Sequence, residues 1–98
     1  MLVKIHKSYR EVIAICDSNL IGKTFEQGKF QLDVKESFFK GDEKNKTEVL
    51  EIMKFMSRED ATFNIIGKES VNTALEAGII SKEGIKEIAE IPFALVLL

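Results

Sequence analysis

Residues 45–78 read NKTEVLEIMKFMSREDATFNIIGKESVNTALEAG, and this stretch decides the fold. Asn45 stands three residues before Glu48, the spacing of a capping box in which side chains satisfy the free N–H groups at a helix start. Val49, Ile52, Met53 and Met56 then fall at i, i+3, i+4 and i+7, one apolar face of a helix from Lys46 to Arg58. Glu48, Glu51, Lys54 and Arg58 take the solvated side. Ala61–Ile66 is a short apolar run ended by Gly67 and reads as a buried strand. A second helix spans Lys68–Ala77, with Val71, Ala74 and Leu75 inward, and Gly78 suits the left-handed position that closes it.

Outward from this core, the N-terminal half reads as strands. Leu2–Lys7 alternates, Glu11–Cys16 is dense in Val and Ile, and the tight Ser8-Tyr9-Arg10 connection predicts that the two pair as a hairpin. Phe30, Leu32 and Val34 alternate with Gln31, Asp33 and Lys35, a third strand with one wet face. Lys40–Lys46 is charge-dense and reads as a solvated loop turning at Gly41. On the other side, Ile85–Ala89 has two readings. Periodicity favours a helix capped by Ser81, which Gly84 weakens by about 1 kcal/mol relative to Ala. The alternative is a short turn and then a strand. Pro92 marks a turn, and Phe93–Leu98 is a last strand apolar on both faces, which implies a central position or a subunit contact. The order β-β-β-α-β-α-β-β predicts an α+β fold, a mixed sheet of about six strands with two helices packed on one face.

Composition bounds the class. A chain of 98 residues fits a single domain over 1–98. Its 45% hydrophobic and 31% charged content is a globular balance, not a disordered one. No apolar run approaches the roughly 20 residues of a membrane span, so no membrane contact is expected. Lys4, Lys7 and Arg10 are followed by no apolar stretch, so no secretory signal is expected either. Cys16 is the only cysteine, which excludes an internal disulfide and makes a reducing cytoplasm the simplest home. Net charge is −2, with nine Lys/Arg against seven Asp/Glu in residues 1–46 and five against nine in residues 47–98. Domains that grip phosphates carry a larger basic excess, so direct nucleic-acid binding is unsupported; docking onto a protein that sits on RNA stays open.

Few residues carry candidate chemistry. Gly22-Lys23-Thr24 looks like the end of a phosphate-binding loop, but Asp17 occupies the place where that loop needs its first Gly. His6 and Cys16 each stand alone, so no metal site of four N, S or O ligands is indicated and no cofactor is implied. Cys16 ends an apolar strand, where buried and inert cysteine is common; a nucleophilic role would need a base that lowers its pKa. Asp17, Lys23, Thr24, Glu36, Ser37 and Asn64 are the residues least explained by core packing, and they form the candidate binding set. Asn64 lies in a buried run, where an unpaired amide costs about 1–3 kcal/mol. One reading is a polar network that joins these residues and fixes the Gly22 loop to the sheet; the other is a ligand site. Phe38 and Phe39 are either core or an aromatic pair turned to a partner.

Taken in order, Cys16-Asp17, Leu20-Ile21-Gly22-Lys23-Thr24-Phe25, Glu36-Ser37-Phe38-Phe39, Asn64-Ile65-Ile66-Gly67, Ala74 to Gly78 and Ile91-Pro92 resemble the uncharacterised archaeal family called domain of unknown function 424. The resemblance covers nearly the whole chain. It implies an archaeal, cytosolic, stand-alone domain, and it favours the strand reading of Ile85–Ala89. It also implies company with translation and ribosome-maturation components. A His that often follows the late proline in that family is Phe93 here, a departure that counts against a catalytic use of that position.

The functional expectation is a non-enzymatic binding or adaptor module with a protein or ribonucleoprotein partner. Its expected contact surface is the loop Asp17–Phe25 together with Glu36–Phe39. Two alternatives stand beside it. One is a small hydrolase or transferase using Asp17, Lys23, Thr24 and Glu36, in which Asp17 or Glu36 acts as base while Lys23 holds an anionic substrate. The other is a structural homo-oligomer formed through Phe93–Leu98.

Overall fold

The structure, a computed structural model, describes residues 1–97. Its strands are β1 (Leu2–His6), β2 (Val12–Cys16), β3 (Thr24–Gln27), β4 (Phe30–Asp33), β5 (Asp42–Glu43), β6 (Thr62–Ile66), β7 (Lys86–Ile88) and β8 (Ile91–Val96). Its helices are α1 (Glu36–Phe39), α2 (Lys46–Arg58) and α3 (Lys68–Ala77). Six strands form one mixed sheet in the order β5-β1-β2-β6-β8-β7, and β3 and β4 form a separate hairpin. β2 and β6 pair in parallel; the other neighbours in the sheet are antiparallel.

The alternation of β2 and β6 builds two cores, because successive side chains on a strand point to opposite faces. Ile13, Ile15, Phe63 and Ile65 point to one face, where Val49, Met53 and Met56 of α2 and Val71 and Ala74 of α3 cover them. Ala14, Cys16 and Ile66 point to the other, where Leu20, Leu32, Val34 and Phe39 cover them. The result is three layers: two helices, the sheet, then the hairpin with α1. Burial on both faces explains why β2 reads as an unbroken apolar run.

The two long helices lie where the pattern placed them. The Asn45 side chain accepts from Glu48 N at 2.9 Å, and Glu48 Oε1 accepts from Asn45 N at 3.0 Å. Gly78 closes α3 with φ 77°. The strand alternative holds at β7, after a short 3-10 turn at Lys82–Gly84. Residues 91–93 of β8 pair with β7, whereas residues 94–96 pair with β6 alone, so the expected last strand is central only at its start. Leu98, the end of the expected last strand, lies outside the described residues.

Three expectations need correction. The strand at Phe30–Val34 does not join the main sheet: β4 pairs with β3, and Leu32 and Val34 drop into the second core from above. Lys40–Lys46 is not wholly loop, since β5 adds a two-residue edge against Leu2 and Val3 of β1. Gly41 is required there by close approach, because a Cβ would fall 2.0 Å from the Val3 carbonyl oxygen. The turn falls at Ala89-Glu90, not at Pro92. Pro92 lies inside β8, opposite Glu87, and its carbonyl accepts from Gly67 N at 2.9 Å. Its missing donor is tolerated because β6 ends at Ile66.

Candidate functional site

The hairpin and α1 do not cover the second face of the sheet completely. A cleft of about 470 Å³ remains between them. Its floor is the paired stretch of β6 and β8, where Asn64 stands beside Leu95 and Ile66 beside Phe93. Ser37, Phe38 and Phe39 of α1 form one wall, and Leu32, Asp33 and Lys35, at the end of β4 and just beyond it, form the other. This volume lies in the range of small-molecule and side-chain pockets.

Asn64 is the polar group on the floor. β-pleat places its amide on the cleft side, since Phe63 and Ile65 point to the helices. It is half-buried and makes no side-chain hydrogen bond among the described residues. The wall aromatics divide. Phe39 is buried in the second core at 4% exposure, whereas Phe38 is half-buried. The Phe38 ring stacks on His6 at 4.5 Å between centroids, and its carbonyl lies 2.8 Å from His6 Nε2. His6 thereby braces the wall. Lys4 Nζ braces it too, donating to the Ser37 carbonyl at 2.9 Å. Leu95 is 56% exposed at the mouth.

The other candidate residues go elsewhere. Asp17 caps α3 from a distance: its carboxylate accepts from Ser70 N and Ser70 Oγ, each at 2.8 Å, and from Glu69 N at 3.1 Å. Thr24 donates to Asp33 at 3.4 Å, one step from the cleft. The Glu36 carboxylate lies over Gly22, and the Lys23 side chain is exposed. No side-chain hydrogen bond joins any two of Asp17, Lys23, Thr24, Glu36, Ser37 and Asn64 among the described residues. The expected polar network is therefore replaced by backbone bonds. Gly22 N donates to the Val34 carbonyl at 2.8 Å, and Val34 N to the Lys23 carbonyl at 2.9 Å. Leu20, Ile21 and Phe25 pack the loop into the second core.

The cleft thus gathers Ser37 and Asn64 from the candidate set and adds Leu32, Asp33, Lys35, Phe93 and Leu95. Asp33 and Lys35 carried a signal, the wet face of an alternating strand. Leu32 and Leu95 carried none, because an apolar residue in a strand reads as core. Cys16 is buried, and burial chiefly, with the Asp17 charge second, pushes its thiol up to about 11. A thiol so protonated is a poor nucleophile. Among the described residues, no three His, Cys, Asp or Glu side chains gather as they would to hold a metal.

A sheet with two helices on one face and a hairpin and short helix half-covering the other defines a small three-layer α+β domain. Within that class, the chain belongs to the DUF424 family, described as a protein of unknown function, whose model matches residues 6–98. The crystal structure of an uncharacterized conserved protein from Methanopyrus kandleri is similar, with a TM-score of 0.83 at 21% identity over 97% of this chain and 88% of that one. At that identity the likeness speaks for the fold. No curated protein matches the sequence significantly. No helix among the described residues is long and apolar enough to cross a membrane.

Proposed function

We propose that this chain is a non-enzymatic binding or adaptor module whose contact surface is the cleft between α1, β4 and the β6–β8 floor. The observation that carries the reading is the Asn64 amide, unbonded to any described residue at the bottom of a phenylalanine-walled cleft. A polar group left open among apolar walls gives orientation to whatever the walls bury. The candidate acid–base groups work against an enzyme, because Asp17 is committed to the α3 N-terminus and Lys23 faces solvent. The family resemblance supplies the setting, a cytoplasmic RNA–protein assembly of translation or ribosome maturation. The net charge of −2 directs the contact to a protein component of it.

The test is paired capture from a lysate of the source organism at mild salt. Wild type is compared with Leu95→Asp, a change at an exposed side chain, with circular dichroism to check that the variant keeps the fold. A specific partner held by the wild type and lost by the variant is expected. Equal capture by both would remove the cleft from the reading, and no specific capture by either would remove the reading itself.

A further inference from the structure

We infer that the occupant of the cleft is an extended segment of a partner protein that buries one apolar or aromatic side chain against Phe38 and Phe93 and offers the adjoining peptide unit to Asn64. This rests on the binding role proposed for the cleft and names the chemistry it takes.

Three observations select this occupant. The first is the chemistry of the floor. A carboxamide presents one acceptor and two donors, and a peptide unit presents the complementary carbonyl and N–H side by side. The second is the satisfied backbone beneath it. Asn64 is paired on both sides, with Ala14 of β2 and Leu95 of β8. The backbone at Asn64 is therefore engaged on both sides, so a segment lying over this part of the floor meets the Asn64 side chain and not its main chain. The third is charge. Lys35 and Asp33 line the same wall with opposite signs. A nucleic-acid strand needs several basic groups aimed at phosphates. One lysine beside one aspartate, in a chain of net charge −2, suits a neutral, zwitterionic or mixed-charge chain instead.

The experiment follows backbone and side-chain amide NMR signals of the full chain during titration with four probes. Two are N-acetyl-leucine methylamide and N-acetyl-phenylalanine methylamide; two are adenosine and uridine 5′-monophosphates. For ligands of this size saturable binding with a Kd on the order of 1 mM is expected. The Asn64 side-chain NH2 and the Leu95 signals are expected to move with the amides and not with the nucleotides. Methyl N-acetyl-leucinate, which lacks the terminal N–H, is expected to bind roughly fivefold more weakly, the effect of one lost hydrogen bond. Asn64→Leu is expected to weaken the methylamides by a similar factor. Movement with nucleotides alone would overturn the peptide occupant and leave a binding cleft. Equal binding of ester and amide, with no effect of Asn64→Leu, would overturn the part given to Asn64. Silence with all four probes at tens of Kd would overturn both this inference and the binding role.

Discussion

The Asp17 carboxylate fills the space that a side chain at Gly67 would need. A Cβ built on Gly67 falls 2.3 Å from Asp17 Cγ. The two residues meet because β2 and β6 run in parallel and end together, with Asp17 N donating to the Ile66 carbonyl at 3.0 Å. Gly67 holds φ 114° and ψ 154°, backbone that only glycine adopts readily. The chain turns there into α3, whose first free N–H groups the Asp17 carboxylate receives.

Asp17→Ala is expected to lower stability by about 2 kcal/mol, the upper range for loss of a helix cap. Gly67→Ala is expected to cost more, since it adds the clash to the backbone strain. The two effects should not add. With Asp17 already shortened, the new methyl group has room, so the double variant should be more stable than the sum of the singles implies. Urea unfolding of the four proteins checks this. Additivity within a few tenths of a kcal/mol would show that the contact carries no energy.

The Cys16 thiol, pushed up to about 11 and buried, is expected to react with iodoacetamide at pH 8 at least about a hundredfold more slowly than in the urea-unfolded chain. The smaller thiolate population accounts for about that factor, and occlusion slows the native rate further. Mass-resolved alkylation rates decide it. Native and unfolded rates within a factor of two would mean the thiol is open to solvent and close to its ordinary pKa.

The two long helices and the central strands were legible because their signals are local, whereas the single turn of α1 at Glu36–Phe39 was not read. The Asn45–Glu48 box and the Val49–Met56 stripe lie within four turns of chain, and each constrains only its own backbone. The hairpin β3–β4 was not legible. Phe30, Leu32 and Val34 alternate identically whether the strand joins a sheet or lies across its face, and the period says nothing about pairing partners. β5 is two charged residues held by the backbone alone. The part played by Asp17 was hidden for a different reason: it caps a helix more than fifty residues away in sequence. At the site, Asn64 and Ser37 stood out as polar residues without a packing role. Leu95 did not, because exposure of a sheet strand depends on which layer stops short above it.

Glu43 gives the fold an acid-sensitive anchor. The Met1 α-ammonium, first, and the Ser18 hydroxyl, second, donate to its carboxylate at 2.6 Å each and hold its pKa below the ordinary 4.5. A carboxyl whose folded pKa is depressed stabilises fully above its unfolded value and loses that contribution as pH falls through the folded one. Wild type is therefore expected to melt above Glu43→Gln at pH 7. The gap should narrow once the pH drops below about 4.5. Thermal melts from pH 7 to pH 3 test it, and a gap of constant size across that range would assign the difference to packing, not charge.

The β7–β8 connection stores strain that substitution can release. Ala89 and Glu90 both hold positive φ, 51° and 67°, in a two-residue turn between strands paired at Ile88 and Ile91. This is the pattern of a type I′ turn, whose twist suits a hairpin and which asparagine followed by glycine fills with least strain. The Ala89 N–H donates to Gln27 Oε1 at 2.7 Å, a backbone contact that any residue at 89 keeps. Ala89→Asn with Glu90→Gly is therefore expected to raise stability by about 1 kcal/mol, relief of strain at two positions less the entropy glycine adds to the unfolded chain. Gln27→Ala, by contrast, is expected to lower it slightly by freeing the Ala89 N–H to water. Chemical unfolding midpoints with unchanged denaturant dependence check both. A loss of stability in the Asn-Gly variant would mean that the turn is held in some other backbone form, with no strain to relieve.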